Sequence, residues 1–350
     1  MASYYRMPDL AGFRDLLATK WKHAMEKLSV AHFVFVWLLM PLMSLWVPIY
    51  ILFQTQLWPT VPVYMAWMVY DWKTPRRGGR TMSWYQRLGM WNHFRDYFPI
   101  KLVKTVDLSP DRNYIMGSHP HGVLCVGAFS NFLTASSKFT EFYPGLDPTI
   151  LTLDGQFKFP LRREIALATG GVSSSRDSLE WLLKNPGKGR AVAVVVGGAE
   201  EALDARPGST RLKLLGRYGF VRYAIQYHCC LVPVFNFGEN DLYSQQENQQ
   251  GSRLRSIQGK IKSWCGFAPP LLHGCGLLAP MGLLPFRSPV TTLIGKPICC
   301  KIDGHEYGTL PSEELVIKQH SLYMQGLVDL FEANKTLHGN FKDDDHLEFV

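Results

Sequence analysis

The sequence predicts an α/β protein in which a mainly parallel sheet flanked by helices follows an N-terminal hydrophobic hairpin. Three observations lead there. From about residue 101, short apolar runs alternate with helical stretches, the pattern of βα units. Ahead of them, Phe33 to Phe53 and Leu57 to Tyr70 contain no charged residue. At the exit of the first strong strand candidate stands His119-Pro120-His121-Gly122, a compact place for proton chemistry.

Residues 1–32 are polar and amphipathic, without the short apolar core and small-residue site of a cleaved signal peptide, and are expected to form a cytosolic segment. The run from Phe33 can span a bilayer at about 1.5 Å per helical residue, whereas Leu57–Tyr70 is short for a complete span. Gln54-Thr55-Gln56 divides the two, and Pro41, Pro48, Pro59 and Pro62 interrupt them, which suits a wedge better than straight rods. One long broken helix is the alternative. Lys20, Lys22 and Lys27 precede the stretch and Lys73, Arg76, Arg77 and Arg80 follow it, so positive charge places both ends in the cytosol. The expectation is a membrane-embedded hairpin over 33–70 and a cytosol-facing domain over 71–350.

Residues 71–100 form a basic, aromatic connector ending in Tyr97-Phe98-Pro99. Trp72, Trp84, Tyr85, Trp91 and Tyr97 suit either a layer at the lipid–water interface or packing under the domain. Strands are expected at 113–118, 149–153, 191–196, 231–237 and 290–294. Helices are expected at 124–137, 159–168, 175–184, 217–228 and 253–264, with a last one near 312–334. Ser174 reads as the N-cap of the third of these and Pro186-Gly187 as its end.

Composition narrows the function. Apolar residues make up 47% and aromatics 13%, high for a chain that is 19% charged, and the net charge is +8. The positive balance favours an anionic partner: nucleic acid, anionic lipid head groups or a phosphorylated cofactor. Without a long Lys/Arg run, a zinc finger or an RNA-binding signature, nucleic acid ranks last. The seven cysteines include the adjacent pairs Cys229-Cys230 and Cys299-Cys300 and no CxxC, which reads as buried reduced thiols.

Loops follow three of the strand candidates: His119-Pro120-His121-Gly122, Gly197-Gly198-Ala199-Glu200-Glu201 and Gly238-Glu239-Asn240. In an open α/β sheet, ligands bind outside the carboxyl ends of the strands. If the strands are parallel neighbours, the loops share one cleft holding two imidazoles, a carboxylate and exposed backbone N–H groups. That inventory suits acyl transfer, with a base for an attacking hydroxyl, a group to orient it and donors for an oxyanion. There is no G-x-S-x-G elbow, and Cys125 reads as a small buried thiol rather than an acyl carrier. No third ligand stands near the histidines at metal spacing. Arg211, Lys213, Arg217 and Arg222 form either a phosphate clamp or a solvated face. Residues 265–286, too broken to span a membrane, suit a membrane-resting loop, a wall of an acyl-chain tunnel, or packing under the sheet.

These motifs together resemble the diacylglycerol acyltransferase type-2 superfamily, and its monoacylglycerol acyltransferases most closely. The resemblance covers roughly residues 30–350. It lies in Tyr97-Phe98-Pro99, in Ser118 to Val123, in Val196 to Gly208, in Arg217-Tyr218-Gly219-Phe220-Val221-Arg222 and in Val232 to Asn240, with the terminal His346-Leu347-Glu348-Phe349. It implies an enzyme of the endoplasmic-reticulum membrane that esterifies monoacylglycerol with long-chain acyl-CoA, acyl-CoA being a co-substrate and no cofactor being bound. It implies active-site roles for His119 and His121, a functional role for Glu201, and substrate or acyl-CoA contacts at Gly122, Gly197, Gly198, Arg217, Gly219, Phe220, Glu239 and Asn240. Two departures stand out: Tyr218 replaces the family's usual lysine, and the family's F-L-x-L-x-x-x-N pattern is not evident in the hairpin. Relatives that acylate diacylglycerol, long-chain alcohols or retinol share these motifs. Membrane lipids are expected partners, and self-association or a complex with other lipid-synthesis enzymes stays open. The rivals from other classes are a non-catalytic lipid-binding scaffold and a membrane-bound hydrolase.

Overall fold

A computed structural model describes residues 10–184, 188–248, 251–265, 270–277 and 279–350. In chain order its strands are β1 (Lys101–Lys104), β2 (Tyr114–His119), β3 (Asp147–Thr152), β4 (Gly171–Ser173), β5 (Arg190–Val195), β6 (Arg211–Leu212), β7 (Cys230–Phe237), β8 (Ser244–Gln245), β9 (Leu272–His273), β10 (Thr291–Ile294), β11 (Ile298–Cys299) and β12 (Glu348–Phe349). The main sheet has eight strands in the order β1-β10-β7-β2-β5-β3-β4, with β11 beside β7. β7, β2, β5, β3 and β4 run parallel, whereas β10 and β11 are antiparallel to β7. All five expected strands are present, and the sheet is mainly parallel as expected.

Every residue of β2 and β7 is buried, because helices cover both faces. Helices Leu10–Val34, Met90–Tyr97 and Val126–Leu133 cover one face, where Tyr114, Met116, Val232 and Val234 point. Helices Arg176–Lys184, Gly219–Gln226 and Glu313–Glu332 cover the other, where Ile115, Leu231 and Phe235 point. Alternation along each strand thus divides the core in two. Ser312 caps the last helix, accepting from the Leu315 N–H at 3.3 Å. The cap of helix Arg176–Lys184 falls on Ser175, one residue beyond the expected Ser174, and its hydroxyl accepts from Ser178 N–H at 3.4 Å. The expected Pro186-Gly187 stop lies outside the described residues.

The N-terminal region is helical from Leu10 through a π-helical turn at Phe35–Leu39 to Gln54, and resumes over Thr60–Tyr70. The break falls at the polar Gln54-Thr55-Gln56. The first residues of the uncharged run belong to the core: Phe33 packs against Phe94 at 5.0 Å and Phe129 at 4.7 Å, and Val34 and Val36 are buried. Beyond Trp37 the chain leaves the body. It comes back at Tyr64, whose hydroxyl accepts from Leu161 N–H at 2.8 Å, while Trp37 lies under the Arg162 guanidinium at 3.9 Å. Both ends of this excursion thus meet the same short stretch, Leu161-Arg162. Between them large apolar side chains are bare, Trp46 and Phe53 each 73% exposed. Among the described residues, Gly12–Gln54 is the one helix long and apolar enough to cross a membrane.

The connector splits between its two readings. Trp91 and Tyr97 are buried in the core, while Trp72 and Trp84 are exposed. Cys229, Cys230 and Cys300 are buried as expected, but Cys299 is exposed, opposite Cys230 in the β11–β7 register. In the 265–286 stretch, Gly274–Gly282 and Cys275–Leu284 pair into a tight loop, and Phe267 and Leu278 lie outside the described residues.

Candidate active site

β7, β2 and β5 are adjacent and parallel, so the chain leaves all three at one edge of the sheet and the three expected loops converge. The two histidines then part. His119, the last residue of β2, follows the alternation of Ile115 and Gly117 towards helix Glu313–Glu332. It is fully buried, and its Nε2 lies 2.9 Å from the Tyr323 hydroxyl. Tyr323 donates its proton to the Gly117 carbonyl at 3.1 Å, so Nε2 of His119 carries the hydrogen in that pair. Burial pushes the His119 imidazole down to about 3, which leaves it neutral. His121, past Pro120, emerges on the opposite face and borders a cavity of about 240 Å³. Its Nδ1 donates to the Gly122 carbonyl at 2.9 Å, which leaves Nε2 as the basic nitrogen, and burial lowers its pKa.

Two buried carboxylates hold this turn. Glu201 Oε1 accepts from the backbone N–H of His121 at 2.5 Å, and Oε2 from Lys213 N–H at 2.7 Å. Burial raises its pKa. Glu201 therefore fixes the main chain that presents His121, and its carboxylate bonds to backbone N–H groups and not to the ring. Glu239 Oε1 accepts from Val126 N–H at 2.7 Å and Oε2 from Gly127 N–H at 2.8 Å, capping helix Val126–Leu133. Burial raises Glu239 to about 7. The glycines beside these carboxylates make room for them. A Cβ on Gly122 would meet Glu239 Cγ at 2.6 Å, and one on Gly197 would meet the Glu201 Oε2 at 2.1 Å.

A polar relay, missed in the sequence, ties the same edge together. Asn131 donates to Thr292 Oγ1 at 2.7 Å, and Thr292 donates to Asn236 Oδ1 at 2.7 Å. Asn236 in turn donates to Ser118 Oγ at 2.9 Å and to the His119 carbonyl at 3.0 Å. Asn131 Oδ1 is left without a partner, but each of the other links is made, and buried hydrogen-bond chains of this kind rigidify what they hold.

The cavity is mostly apolar, with Thr152, Gln156 and Ser174 as its polar lining residues besides His121. Val123, Leu124, Phe129, Ile150 and Val194 line it, Gly198 and Ala199 form its rim beside His121, and Trp37 closes the end nearest the N-terminal excursion. Pro270 is its contact with the 265–286 stretch. Cys125 also lines it, with Sγ 3.5 Å from the His121 ring. Burial and the charges of Glu239 and Glu201 raise that thiol well above its ordinary range, so it stays protonated.

Several expected contacts are placed elsewhere. Gly219 opens a helix on the opposite face of the sheet, and Phe220 packs there on Tyr323 at 5.0 Å, because that helix buries its apolar side against Glu313–Glu332. Arg217 pairs with Glu200 at 3.1 Å, as does Lys213 at 3.3 Å, and Arg211 pairs with Glu348 at 3.2 Å. These cations already have carboxylate partners at the surface. Asn240 donates to the Ser209 carbonyl at 3.0 Å, which braces a loop. Of the expected set, His121 and Gly198 face the cavity, Gly122, Gly197, Glu201 and Glu239 support it, and Arg217, Gly219, Phe220 and Asn240 do neither.

The family model described as diacylglycerol acyltransferase matches residues 50–350. The chain belongs to the diacylglycerol acyltransferase family. It is 41% identical over 340 residues to diacylglycerol O-acyltransferase 2 of Danio rerio, covering 94% of this chain and 92% of that protein. To 2-acylglycerol O-acyltransferase 3 of Homo sapiens it is 42% identical over 320 residues, covering 91% and 92%. To diacylglycerol O-acyltransferase 2 of Homo sapiens it is 38% identical over 338 residues, covering 94% and 86%. Tyr323 and Asn236 hold the His119 strand end and Trp37 walls the cavity, and each comes from a distant element with no local motif to mark it.

Proposed function

We propose that this acyltransferase moves a fatty acyl group from acyl-CoA to the free hydroxyl of monoacylglycerol, giving diacylglycerol, at the cytosolic face of the endoplasmic-reticulum membrane. The observation behind this reading is His121, neutral and half-buried at the head of an apolar cavity whose far wall is Trp37, where the chain leaves the body. His121 Nε2 takes the proton of the acceptor hydroxyl as its oxygen attacks the thioester carbonyl. The C–S bond breaks, coenzyme A leaves as a thiolate and the imidazolium returns the proton. Gly198 and Ala199 line the cavity beside His121, and their backbone N–H groups serve as the donors for the oxyanion. Glu201 and Glu239 are positioning residues, and His119 with Tyr323 anchors the strand end. The acyl chain occupies the apolar cavity, and residues 38–63 rest in the bilayer.

Diacylglycerol as acceptor is the second reading, favoured by the names of relatives such as the Danio rerio protein. The terminal His346 to Phe349 and the run Asp204 to Gly208 favour monoacylglycerol. An acceptor panel of monoacylglycerol, diacylglycerol, fatty alcohol and retinol with one labelled acyl-CoA decides between them. Diacylglycerol as the main product supports the first reading, and triacylglycerol formed faster from supplied diacylglycerol replaces it with the second. Free fatty acid in place of ester indicates a hydrolase, and no product at all a scaffold.

A further inference from the structure

Antiparallel β11 lies against the start of β7, and its register sets Cys299 directly opposite Cys230. The ladder decides how close the two side chains come. Cys230 N–H donates to the Asn113 carbonyl at 2.9 Å, on the β2 side, while the neighbouring Cys300 N–H donates to the Cys229 carbonyl at 3.2 Å. Cys229 and Cys300 thus take the hydrogen-bonded position, and Cys230 and Cys299 the non-hydrogen-bonded one. Residues opposite each other at such a position have Cα atoms about 4.5 Å apart and the closer side chains. That separation lies within the roughly 4.4–6.8 Å that a disulfide spans. Here the two sulfurs are 2.7 Å apart, both as free thiols. The adjacent pair shares the register but not the contact: Cys229 Sγ donates to the Tyr227 carbonyl at 3.4 Å and Cys300 Sγ to the Ile298 carbonyl at 3.6 Å, and both residues are buried.

The two sulfurs that touch have unlike surroundings. Cys230 is buried, and burial together with the Cys299 sulfur beside it pushes its thiol up, so it stays protonated. Cys299 is exposed. The guanidinium of Arg112, from the loop before β2, donates through Nη1 to the Cys299 sulfur at 2.7 Å and reaches Cys230 Sγ at 3.9 Å. Arg112 is itself exposed, and its neighbour Asp111 is turned to Lys188 at 3.4 Å. A cation held at an exposed sulfur favours the negative charge that the sulfur carries as a nucleophile. One accessible thiol beside a cation, backed by a second thiol in contact, is the arrangement of an oxidisable cysteine with its resolving partner.

We propose that Cys299 and Cys230 are a peroxide-responsive thiol pair, joined reversibly as a disulfide between β11 and β7. The Cys299 thiolate attacks one oxygen of hydrogen peroxide; an S–O bond forms, the O–O bond breaks, and the departing hydroxide takes up the proton that Cys299 gave up. Cys230 then attacks the sulfur of this sulfenic acid; the S–S bond forms, the S–O bond breaks, and a second water leaves with the Cys230 proton. Two thiols are oxidised by two electrons and one peroxide is reduced to two waters, and a dithiol reductant reverses the step. The pair stands at the amino end of β7, roughly 20 Å of strand away from the edge where the active-site loops leave. The bridge therefore acts on stability and not on the reacting atoms. It closes into one loop the segment that carries Glu239 and the cavity-lining Pro270, which restrains the unfolded chain. None of this needs acyl-CoA or turnover, so it stands or falls separately from the transfer reaction.

The test treats the full chain in neutral-lipid nanodiscs with hydrogen peroxide, blocks the remaining thiols with iodoacetamide under denaturing conditions and maps the peptides by mass spectrometry, with fragmentation assigning each sulfur. A Cys230–Cys299 link that dithiothreitol removes is expected, with Cys229 and Cys300 still reduced. The linked chain should melt at a higher temperature than the reduced one. Cys299→Ser should form no link. Arg112→Gln, a change at an exposed side chain, should slow link formation by roughly 10-fold while the reduced protein melts as the wild type does. Cys299 left unoxidised overturns the proposal, as does a Cys299 sulfenic acid, trapped with dimedone, that never passes to Cys230. So does a link between any other two cysteines in place of this one, or one that persists in Cys299→Ser. Link formation at the wild-type rate in Arg112→Gln overturns the part given to the arginine.

Discussion

His119 and His121 are two residues apart and face opposite sides of the sheet, so replacing them should separate chemistry from stability. His121→Ala is expected to lower turnover by roughly 100-fold or more with an unchanged melting temperature, since only its ring borders the cavity. Near-normal turnover in a folded His121→Ala removes it as the base. Cys125→Ser is expected to keep most activity, because the thiol is held protonated; a complete loss would instead point to a covalent acyl carrier. The His119 prediction concerns pH. Its folded imidazole sits near 3 against an ordinary 6.5, so between those values the unfolded chain binds the extra proton. Stability is therefore full above about pH 6.5 and is lost as pH falls through that window. Melting temperatures of wild type and His119→Gln from about pH 7 to about pH 5 check this, and the variant should fall less steeply; parallel curves would assign the acid sensitivity elsewhere. The histidine pair was legible as a motif, but which ring meets the cavity was not. That depends on the alternation of β2 reaching His119 and on the loop reversing it for His121.

At the scale of elements, strands with a strong local pattern are legible in the sequence, and placements set by long-range contacts are not. β2, β3, β5 and β7 are apolar runs bounded by turn residues, and β10 carries its short apolar signal beside Pro289. β1 escaped because lysines bound its four residues, a common dress for an edge strand. β4 escaped because it has three residues. The Arg217-Tyr218-Gly219-Phe220 block follows the Glu201 loop in sequence and carries part of the family resemblance. Nothing local reveals that its helix crosses to the other face. The same limit applies to helix Leu10–Val34, whose docking on the body no local pattern announces. Glu26, its side chain fully buried, pairs with Arg287, and Phe33 packs between Phe94 and Phe129. Phe33→Ala is accordingly expected to destabilise the whole protein by about 3–5 kcal/mol, as for a core aromatic. A lowered melting temperature of the full chain checks it. An unchanged value would mean that the helix is held by lipid and not by the core.

The whole molecule is organised by the return of the chain to Leu161-Arg162. Trp37 on the way out and Tyr64 on the way back meet this one place, so the excursion enters and leaves on the same side of the body. Its arms are short. Met40–Gln54 has 15 residues and Thr60–Tyr70 has 11, roughly 22 Å and 16 Å of helix, against a hydrocarbon core of about 30 Å. Counted from Met40 and Thr60 neither arm reaches across the core, although the continuous helix Gly12–Gln54 as a whole is long and apolar enough to do so, and lysines and arginines flank both ends. The expected arrangement is a wedge whose tip, Gln54-Thr55-Gln56, stops inside the membrane, with the cavity mouth at its base. A single cysteine at Gln56, in an active variant whose exposed native cysteines are replaced, tests this in sealed microsomes. A membrane-impermeant maleimide should fail to label it from either side, while a cysteine at Lys73 is labelled from the cytosol. Labelling of position 56 from the lumen alone would mean that the two helices together cross the bilayer. The tip would then be a luminal loop, and the wedge would be wrong.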